Sequence, residues 1–485
     1  MVGGPSVRPA AGPSAPPGGP RADTLRRMRR VRQLAEQTPP SRERFVDLLR
    51  ALAITAVVLG HWMVVAIGYT PDGRLTGHSA LVDLRWAAPV TWVVQVLPLF
   101  FLVGGYANAV SLDSHRGRGG DAAAWLLERA TRLLRPTTVL LVVFAVGAGV
   151  ARLLGAAPTE IRTAVWFASI PLWFLSAYLV VVLLTPVMLP LHRRFGLAVP
   201  AVLAVLVALG DLVRFRHGPH PLAGANLLFG WLAIHQLGFA WREGRLPPRP
   251  AVGVPLLIGG LAVALLATVP GPYPVSMIDV PGERLHNMSP PSLALLGLAA
   301  AQTGLVLSLR DPVERWLRRR TRPWRMVVAV NSVVLTIFLW HMTAVLLVVG
   351  ALAAVHALPT PPVNSTAWLL WRVPWLLILS VALAVLVAVF GRFELRGGRG
   401  PAPWWVRRLP RRLATPLDRP RARAALTVLG FALAVLGLVV NNVAPTTAPE
   451  PLGVPVGALV AFGLGVALLG TLRAAPHRAV APPRP

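Results

Sequence analysis

The chain has 485 residues, 55% of them hydrophobic, with a mean hydropathy of +0.61 and a formal net charge of +29. It is too apolar for a soluble domain of this length, and its apolar residues form blocks near the length that spans a bilayer. Its 48 Lys and Arg residues are all arginine, and the absence of cysteine excludes disulfides, thiol nucleophiles and cysteine-ligated metals. We therefore predict a polytopic membrane protein.

Residues 1–43 are predicted to be a disordered, basic cytoplasmic tail. Residues 1–20 are mainly Pro, Gly and Ala without periodicity, and residues 21–32 are basic. We expect no cleavable signal peptide, because the first apolar run begins only after residue 44 and has no convincing small-residue cleavage site behind it.

Twelve apolar segments follow, and each is predicted to be a membrane-spanning helix. Their approximate ranges are 46–68, 87–110, 136–155, 164–190, 197–213, 224–241, 252–270, 290–308, 327–349, 367–390, 422–441 and 453–472. With the N-terminus inside, eight arginines lie in outer segments and the other forty in cytoplasmic ones. This positive-inside pattern predicts cytoplasmic N- and C-termini in a multi-pass cell membrane protein. Because topology accounts for the charge, we expect no nucleic-acid partner.

A long basic segment after the tenth helix divides the chain. We predict an all-α fold with a ten-helix core at 44–395, a basic cytoplasmic linker at 396–421, a C-terminal transmembrane hairpin at 422–472 and a cytoplasmic tail at 473–485. The outer loops are short, so the chemistry must take place in the helices or in these loops, or a separate periplasmic or extracellular partner must complete it.

The first helix carries polar residues that lipid would not favour. Asp47, Arg50 and His61 share one face, since eleven steps of about 100° bring Arg50 and His61 within roughly 20° of each other. The rise separates this pair by roughly 16 Å, so Arg50 lies near the cytoplasmic surface and His61 reaches the bilayer interior. A charge there costs about 2.5–3.5 kcal/mol and usually marks a cavity or pathway. The alternative is an interfacial Asp47–Arg50 pair, with His61 bonded to a neighbouring helix.

This pattern resembles the first helix of the acyltransferase family 3 membrane proteins, which transfer acyl groups from acyl-CoA to glycans and other small acceptors. The matching residues are Asp47, Arg50, Ala51, Leu52, Ala53 and His61, with Leu48 in place of the family's usual glycine. Further blocks resemble the family in the same order: "LFFLVGGYANA" at 99–109, "ERATRLLRP" at 128–136, "LWFLSAYLVVVLLTP" at 172–186 and "IFLWHMTAV" at 337–345. Together they cover the ten-helix core.

The resemblance implies a membrane-bound, acyl-CoA-dependent O-acyltransferase of the cell envelope. The expected acyl group is acetyl, and the expected acceptor is a hydroxyl of a carbohydrate or a glycosylated small molecule. Acyl-CoA, expected to be acetyl-CoA, is a co-substrate; we expect neither a tightly bound cofactor nor a metal. The lipid bilayer is the surrounding solvent.

Acyl transfer from a thioester needs a base for the acceptor hydroxyl, and a neutral imidazole in an apolar site suits that task. His61 is therefore the predicted catalytic base, with Asp47 assigned to the same catalytic set. Whether the histidine also accepts the acyl group transiently stays open at the level of sequence. His341 lies at a similar predicted depth and is a candidate for the same cavity; the alternative is a hydrogen bond between helices.

Coenzyme A carries phosphates that need cationic partners, and guanidinium groups match phosphate oxygens. Arg50, Arg129 and Arg132, with Arg135 beside them, are the predicted donor-binding residues. For Arg129 and Arg132 this assignment depends on the resemblance, because positive-inside charge alone also explains them.

A twelve-helix secondary transporter or flippase is the alternative, since intramembrane charges also mark transport paths. "DSHRGR" at 113–118 faintly resembles the Asp/Arg/Gly loop of major-facilitator transporters. Against this alternative, the chain has no matching six-helix halves, and its long basic break follows helix ten rather than helix six.

Overall fold

The computed structural model describes residues 33, 36–39, 42–218, 220–395 and 419–474. Most of the predicted N-terminal tail, of the basic linker and of the C-terminal tail therefore lies outside the described residues. From Arg44 onward the described helices are α1 (Arg44–Val64), α2 (Thr91–Val94), α3 (Leu97–Gly117), α4 (Ala122–Leu153), α5 (Pro158–Ala168), α6 (Leu172–Phe195), α7 (Ala198–His217), α8 (Pro221–Gly224), α9 (Asn226–Arg242), α10 (Pro250–Thr268), α11 (Leu293–Arg319), α12 (Thr321–Ser332), α13 (Val334–Ala354), α14 (Thr366–Leu395), α15 (Pro420–Val443) and α16 (Val456–Ala474).

Twelve helical segments in the described part of the chain are long and apolar enough to cross a membrane. Two of them combine a short helix with a long one, α2 with α3 and α8 with α9, whereas α5 and α12 are too short to span. The prediction of an all-α polytopic membrane protein is confirmed. We call the end of the bundle where α1 begins the arginine face and the opposite end the hairpin face.

The first helix is shorter than predicted, because the chain leaves it at Val64 and forms a β-hairpin. Strands β1 (Val65–Tyr69) and β2 (Leu75–Ser79) pair antiparallel, and Gly73 in their turn has a φ of 78°. Apolar periodicity alone cannot separate the end of a helix from a short apolar strand. The turn residues "TPDG" at 70–73 carried the missing signal.

Besides the segment predicted at 87–110, which forms α2 and α3, two other predicted helices are each divided in the structure. The segment predicted at 164–190 forms α5 and α6, and the segment predicted at 327–349 forms α12 and α13. Val333, with φ −133°, separates the latter two, and the Glu394 carboxylate accepts the backbone N–H groups of Leu335 and Thr336 at 3.1 and 2.8 Å. This carboxylate satisfies N–H groups that a helix start leaves unpaired. His341 therefore lies about two turns into α13 rather than in the middle of a longer helix.

Glycines let the helices of the core approach closely. Helices α3 and α9 cross at Gly105 and Gly238, where a Cβ on Gly105 would collide with the His235 carbonyl oxygen. Helices α10 and α11 pack along each other through similar small residues. Without a hydrophobic driving force between helices in lipid, such close contact is a main source of association.

We expect Gly105→Ala to destabilise the bundle by about 1–3 kcal/mol, because the new methyl group meets backbone that cannot move independently. Thermal unfolding of the purified protein in lipid nanodiscs measures the effect. Gly147→Ala on α4 is the matched control, since nothing lies within 4 Å of the added Cβ. Equal melting temperatures for the two variants would contradict this packing.

The C-terminal hairpin of α15 and α16 packs against α4 and α6. Arg162 of α5 is fully buried. It binds the α15–α16 pair at the end of the bundle that we call the hairpin face. Its Nη1 donates to Asn441 Oδ1 at 2.9 Å, and its Nη2 donates to the Asn441 and Ala444 carbonyls at 2.8 and 3.1 Å. Burial lowers the pKa of Arg162. In the positive-inside count Arg162 is only one of the eight outer arginines; the structure makes it the anchor of the last two helices.

The loop between α10 and α11 is held against the hairpin face by the buried Asp211. Its carboxylate accepts the Tyr273 hydroxyl and the Leu293 N–H, both at 2.8 Å, and the Asn226 amide at 3.1 Å. Burial and the Asp211 carboxylate raise the pKa of Tyr273, so its hydroxyl remains a donor. A small apolar cluster, which includes Ala80 and Val280, joins this loop to the segment after β2.

Candidate functional site

Helix α11 fixes the start of α1, the helix that carries the predicted catalytic residues. The Glu314 carboxylate accepts the Phe45 N–H at 2.7 Å, and a carboxylate at a helix N-terminus is favoured by the helix dipole. Arg44 donates to the Leu317 carbonyl at 3.0 Å and lies over Trp324, with 4.9 Å from its guanidinium carbon to the ring centroid. Arg44 thus packs against α11 and α12 and lies on a different side of α1 from Asp47, Arg50 and His61.

Asp47 holds Arg50 at the arginine face. Its carboxylate accepts Arg42 Nε at 2.6 Å, which raises the pKa of Arg42, and lies 3.5 Å from Arg50 Nη1. The Asn331 amide donates to the Asp47 carbonyl at 2.8 Å. Asp47 and His61 are about 21 Å apart along α1 at about 1.5 Å per residue, so the carboxylate does not contact the imidazole.

The four predicted donor-binding arginines line one cleft of about 510 Å³, which we call the arginine cleft. They are Arg50, Arg129, Arg132 and Arg135. The three on α4 follow a spacing of three residues, which places them along one side of that helix. Pro136 interrupts α4 directly after them and has no N–H to donate to the Arg132 carbonyl.

The arginine cleft has a strongly positive lining. Arg129 donates to the Ala107 carbonyl at 3.4 Å, and its guanidinium carbon lies 5.3 Å from the Trp125 ring centroid. Glu394 is the one acidic residue among the described residues that line the cleft, and its carboxylate already caps α13. The remaining positive charge suits phosphate groups. Neither Glu394 nor the cleft's Tyr178 stood out in the sequence.

Aromatic rings close the inner end of the arginine cleft and lead to His341. Phe174 lies 5.2 Å from Phe100 and 5.3 Å from Phe338, measured between ring centroids. The Phe338 carbonyl accepts a hydrogen bond from His341 Nδ1 at 2.6 Å. The cleft lining thus extends from the arginines at the surface to Phe338, which lies about one helical turn before the buried His341 in α13.

His61 and His341 form a pair, with 5.0 Å between their ring centroids. His61 Nδ1 donates to the Val57 carbonyl at 2.8 Å, while His341 is fully buried. A carbonyl oxygen can only accept, so Nδ1 carries the proton in each neutral ring and Nε2 keeps its lone pair. The sequence predicted each histidine separately; the structure brings the two together.

A second cavity of about 240 Å³ lies at the hairpin face, and we call it the tryptophan pocket. Trp368, Trp371, Arg372 and Trp375 of α14 line it, together with strand β1 and residues 358–363. A tryptophan near the end of a predicted span, such as Trp368, is most simply an interfacial anchor; the structure instead buries this side chain, leaving 3% exposed. The cluster "WLLWRVPW" at 368–375 was the available signal.

Two hydrogen bonds connect the tryptophan pocket to the histidine pair. Trp375 Nε1 donates to the Trp62 carbonyl, and Trp62 Nε1 donates to the His341 carbonyl, both at 3.0 Å. Trp62 follows His61 directly in α1. The pair therefore lies between a cavity at each face of the bundle.

The profile of a family described as an acyltransferase domain matches residues 43–391. The matched range contains every candidate site residue and leaves out α15 and α16. Searches of curated proteins and of solved structures found no match. Because the matched range spans well over half of the chain, and the chain has twelve helices that could cross a membrane within its described part, it belongs to acyltransferase family 3 and is a multi-pass membrane acyltransferase.

Proposed function

We propose that the protein is an integral-membrane O-acyltransferase that moves an acyl group, acetyl in the first instance, from acyl-CoA to a hydroxyl of a glycan or glycosylated small molecule. The observation that carries this proposal is the position of the His61–His341 pair between the arginine cleft and the tryptophan pocket. A donor in one cavity and an acceptor in the other would meet at these rings.

The donor half of the proposal rests on the charge of the arginine cleft. Phosphates of coenzyme A would bind Arg50, Arg129 and Arg132 at the mouth, with Arg135 beside them, and the thioester would extend along the aromatic inner wall. Asp47 is a positioning residue in this account, because it contacts Arg50 and not the reacting atoms.

The transfer itself needs one proton acceptor and one acyl donor. The oxygen of the acceptor hydroxyl attacks the thioester carbonyl carbon, and Nε2 of His61 takes the proton of that hydroxyl. The carbon–sulfur bond breaks as the carbon–oxygen bond forms, and the sulfur of coenzyme A leaves and takes up a proton. His341, whose Nε2 has no hydrogen-bond partner among the described residues, lies within reach to share that proton.

The orientation follows from the positive-inside rule, which favours a cytoplasmic arginine face and cytoplasmic N- and C-termini. We propose the plasma or inner membrane as the location, because acyl-CoA is then available at the arginine cleft. The hairpin face would meet the acceptor outside, alone or with a separate partner protein.

We expect Arg129→Gln and Arg132→Gln each to weaken acetyl-CoA binding by about 10- to 100-fold, because each removes a charged donor to phosphate. Calorimetric titration of the protein in nanodiscs measures the dissociation constants. Dephospho-coenzyme A should bind wild type more weakly and respond less to the substitutions. Arg116→Gln, an exposed arginine at the end of α3 on the same face, is the matched control. Unchanged binding in both cleft variants would contradict the assigned donor site.

A further inference from the structure

The tryptophan pocket contains a buried cation without a counter-charge. Arg372 is only 7% exposed, and among the described residues no carboxylate lies within ion-pair distance of it. Its Nη1 donates to the Val65 carbonyl at 3.0 Å, and its guanidinium carbon lies 4.3 Å from the Trp368 ring centroid. Burying an uncompensated charge is costly, so such a residue calls for an explanation beyond packing.

The pocket offers hydrogen-bond donors that have no acceptors. Within the described part of the chain, Arg372 Nε and Trp368 Nε1 are both buried and have no hydrogen-bond partner. None of the described residues that line this pocket is acidic, and the lining His78 is paired with Asp83 at 2.9 Å. A ligand that satisfies this site must bring oxygen acceptors and negative charge, and a carboxylate or a phosphate does both.

The volume and the apolar walls of the pocket limit the size and shape of the ligand. Its volume of about 240 Å³ lies below the usual range for drug-sized ligands, roughly 300–1,000 Å³, and suits a single small ring or headgroup. Trp368, Trp371 and Trp375 provide flat apolar surfaces beside the cation. This combination fits a compact hydroxylated compound with one charged group.

The pocket is also next to the reacting groups. Val65, whose carbonyl fixes Arg372, follows His61 by about one helical turn, or roughly 6 Å along the axis. The Trp375 and Trp62 side chains carry the hydrogen bonds from the pocket wall to the backbone of both histidine-bearing helices. The pocket wall therefore contacts the backbone beside both histidines, and a ligand held at Arg372 would extend its hydroxyl from this wall toward His61.

We propose that the tryptophan pocket is the acceptor subsite and that it selects a hydroxyl-bearing oxyanion: a small hydroxylated compound whose carboxylate or phosphate binds Arg372 and Trp368. This inference rests on the proposed acyl transfer and narrows its acceptor from glycans in general to anionic ones. The acyl group passes to the hydroxyl of the bound compound, with its proton taken by His61 and coenzyme A released as the thiol.

Calorimetric titration of wild-type protein in phosphatidylcholine nanodiscs tests the selectivity with three probes: methyl glucoside, methyl glucuronide and glucose 1-phosphate. We expect at least one anionic probe to bind about 10- to 100-fold more tightly than the neutral one. Arg372→Gln should remove that preference, and Arg372→Lys should restore part of it. Arg74→Gln, an exposed arginine in the β1–β2 turn on the same face, should keep it.

A second variant protects the test against misfolding of Arg372→Gln. Thr76 lies on the exposed strand β2 and lines the pocket. Thr76→Glu should weaken binding of the anionic probes and spare the neutral one, whereas Thr76→Gln should change neither. Equal affinities for neutral and anionic probes, no binding of any oxyanion by folded wild type, or a preference that survives both Arg372→Gln and Thr76→Glu would overturn the proposal.

A lipid headgroup and a free metabolite share this chemistry, and the nanodisc composition separates them. Acylated lipid formed from acetyl-CoA in phosphatidylglycerol nanodiscs, without soluble acceptor, would identify the membrane as the source. Product formed only with a soluble probe would identify a free compound.

Anionic binding without coenzyme A release in any arm would contradict acyl transfer but support the pocket. Release with neutral glycans that is as efficient as with anionic ones would support acyl transfer and overturn the pocket.

Discussion

His61→Ala should lower acceptor-dependent release of coenzyme A by about 10²- to 10⁴-fold, the usual contribution of a general base. The substitution removes the imidazole whose Nδ1 is fixed by the Val57 carbonyl and whose Nε2 remains free to take a proton. Acetyl-CoA binding should stay within a few-fold of wild type, because the arginine cleft is unchanged. Thiol release measured against acceptor concentration, beside calorimetric binding of acetyl-CoA, separates the two effects.

His217→Ala is the matched control, since this histidine ends α7 and is exposed at the hairpin face. It should keep wild-type turnover. The turnover of His341→Gln should lie between those of His217→Ala and His61→Ala, because this substitution removes the second ring of the pair but leaves the base. A His61→Ala protein that folds and retains turnover would rule out His61 as the base.

Arg162→Leu should release the C-terminal hairpin from the core and lower the free energy of unfolding by about 2–4 kcal/mol. Leucine leaves the Asn441 side chain and the carbonyls of the α15–α16 loop without their donor, and each unsatisfied buried acceptor costs about 1–3 kcal/mol. The Ala444 carbonyl is only partly buried and can recover water, which keeps the sum moderate. Thermal unfolding and proteolysis of the loop at residues 444–455 report the change.

The matched control is Arg152→Leu, an exposed arginine near the end of α4 on the same face. Arg162→Lys should behave more like the leucine variant than like wild type, because a single ammonium group cannot replace a planar fork that reaches several carbonyls. Identical melting and proteolysis for Arg162→Leu and Arg152→Leu would mean that the hairpin is held by its apolar contacts alone.

The sequence predicted those parts of the site that depend on one helix. Asp47, Arg50 and His61 lie along α1 as helical spacing requires, and the three arginines of α4 line one cleft for the same reason. The shared face of a helix is local information. The neighbours of a helix depend on how distant parts of the chain pack. The 5.0 Å distance between the His61 and His341 rings therefore follows from the packing of α1 against α13 and not from either sequence segment alone.

Other parts of the structure depend on helix ends that the apolar sequence pattern does not mark. The apolar residues of β1 read as a continuation of α1, and the α12–α13 boundary at Val333 has neither proline nor glycine. The Glu394 carboxylate that caps α13 comes from the end of α14, far along the chain. Arg162 likewise reads as an ordinary outer charge until α15 and α16 supply its partners.

Proteoliposomes with known orientation show whether a donor at the arginine face and an acceptor at the hairpin face meet at the histidine pair. Isotope-labelled acetyl-CoA is supplied at the arginine face, and glycan acceptors are supplied at the hairpin face. We expect labelled acetyl-acceptor at the hairpin face in wild type, none with His61→Ala, and none when acetyl-CoA is confined to the hairpin face. Acceptor that crosses the membrane unmodified, or product that forms only when both substrates share one face, would contradict the account.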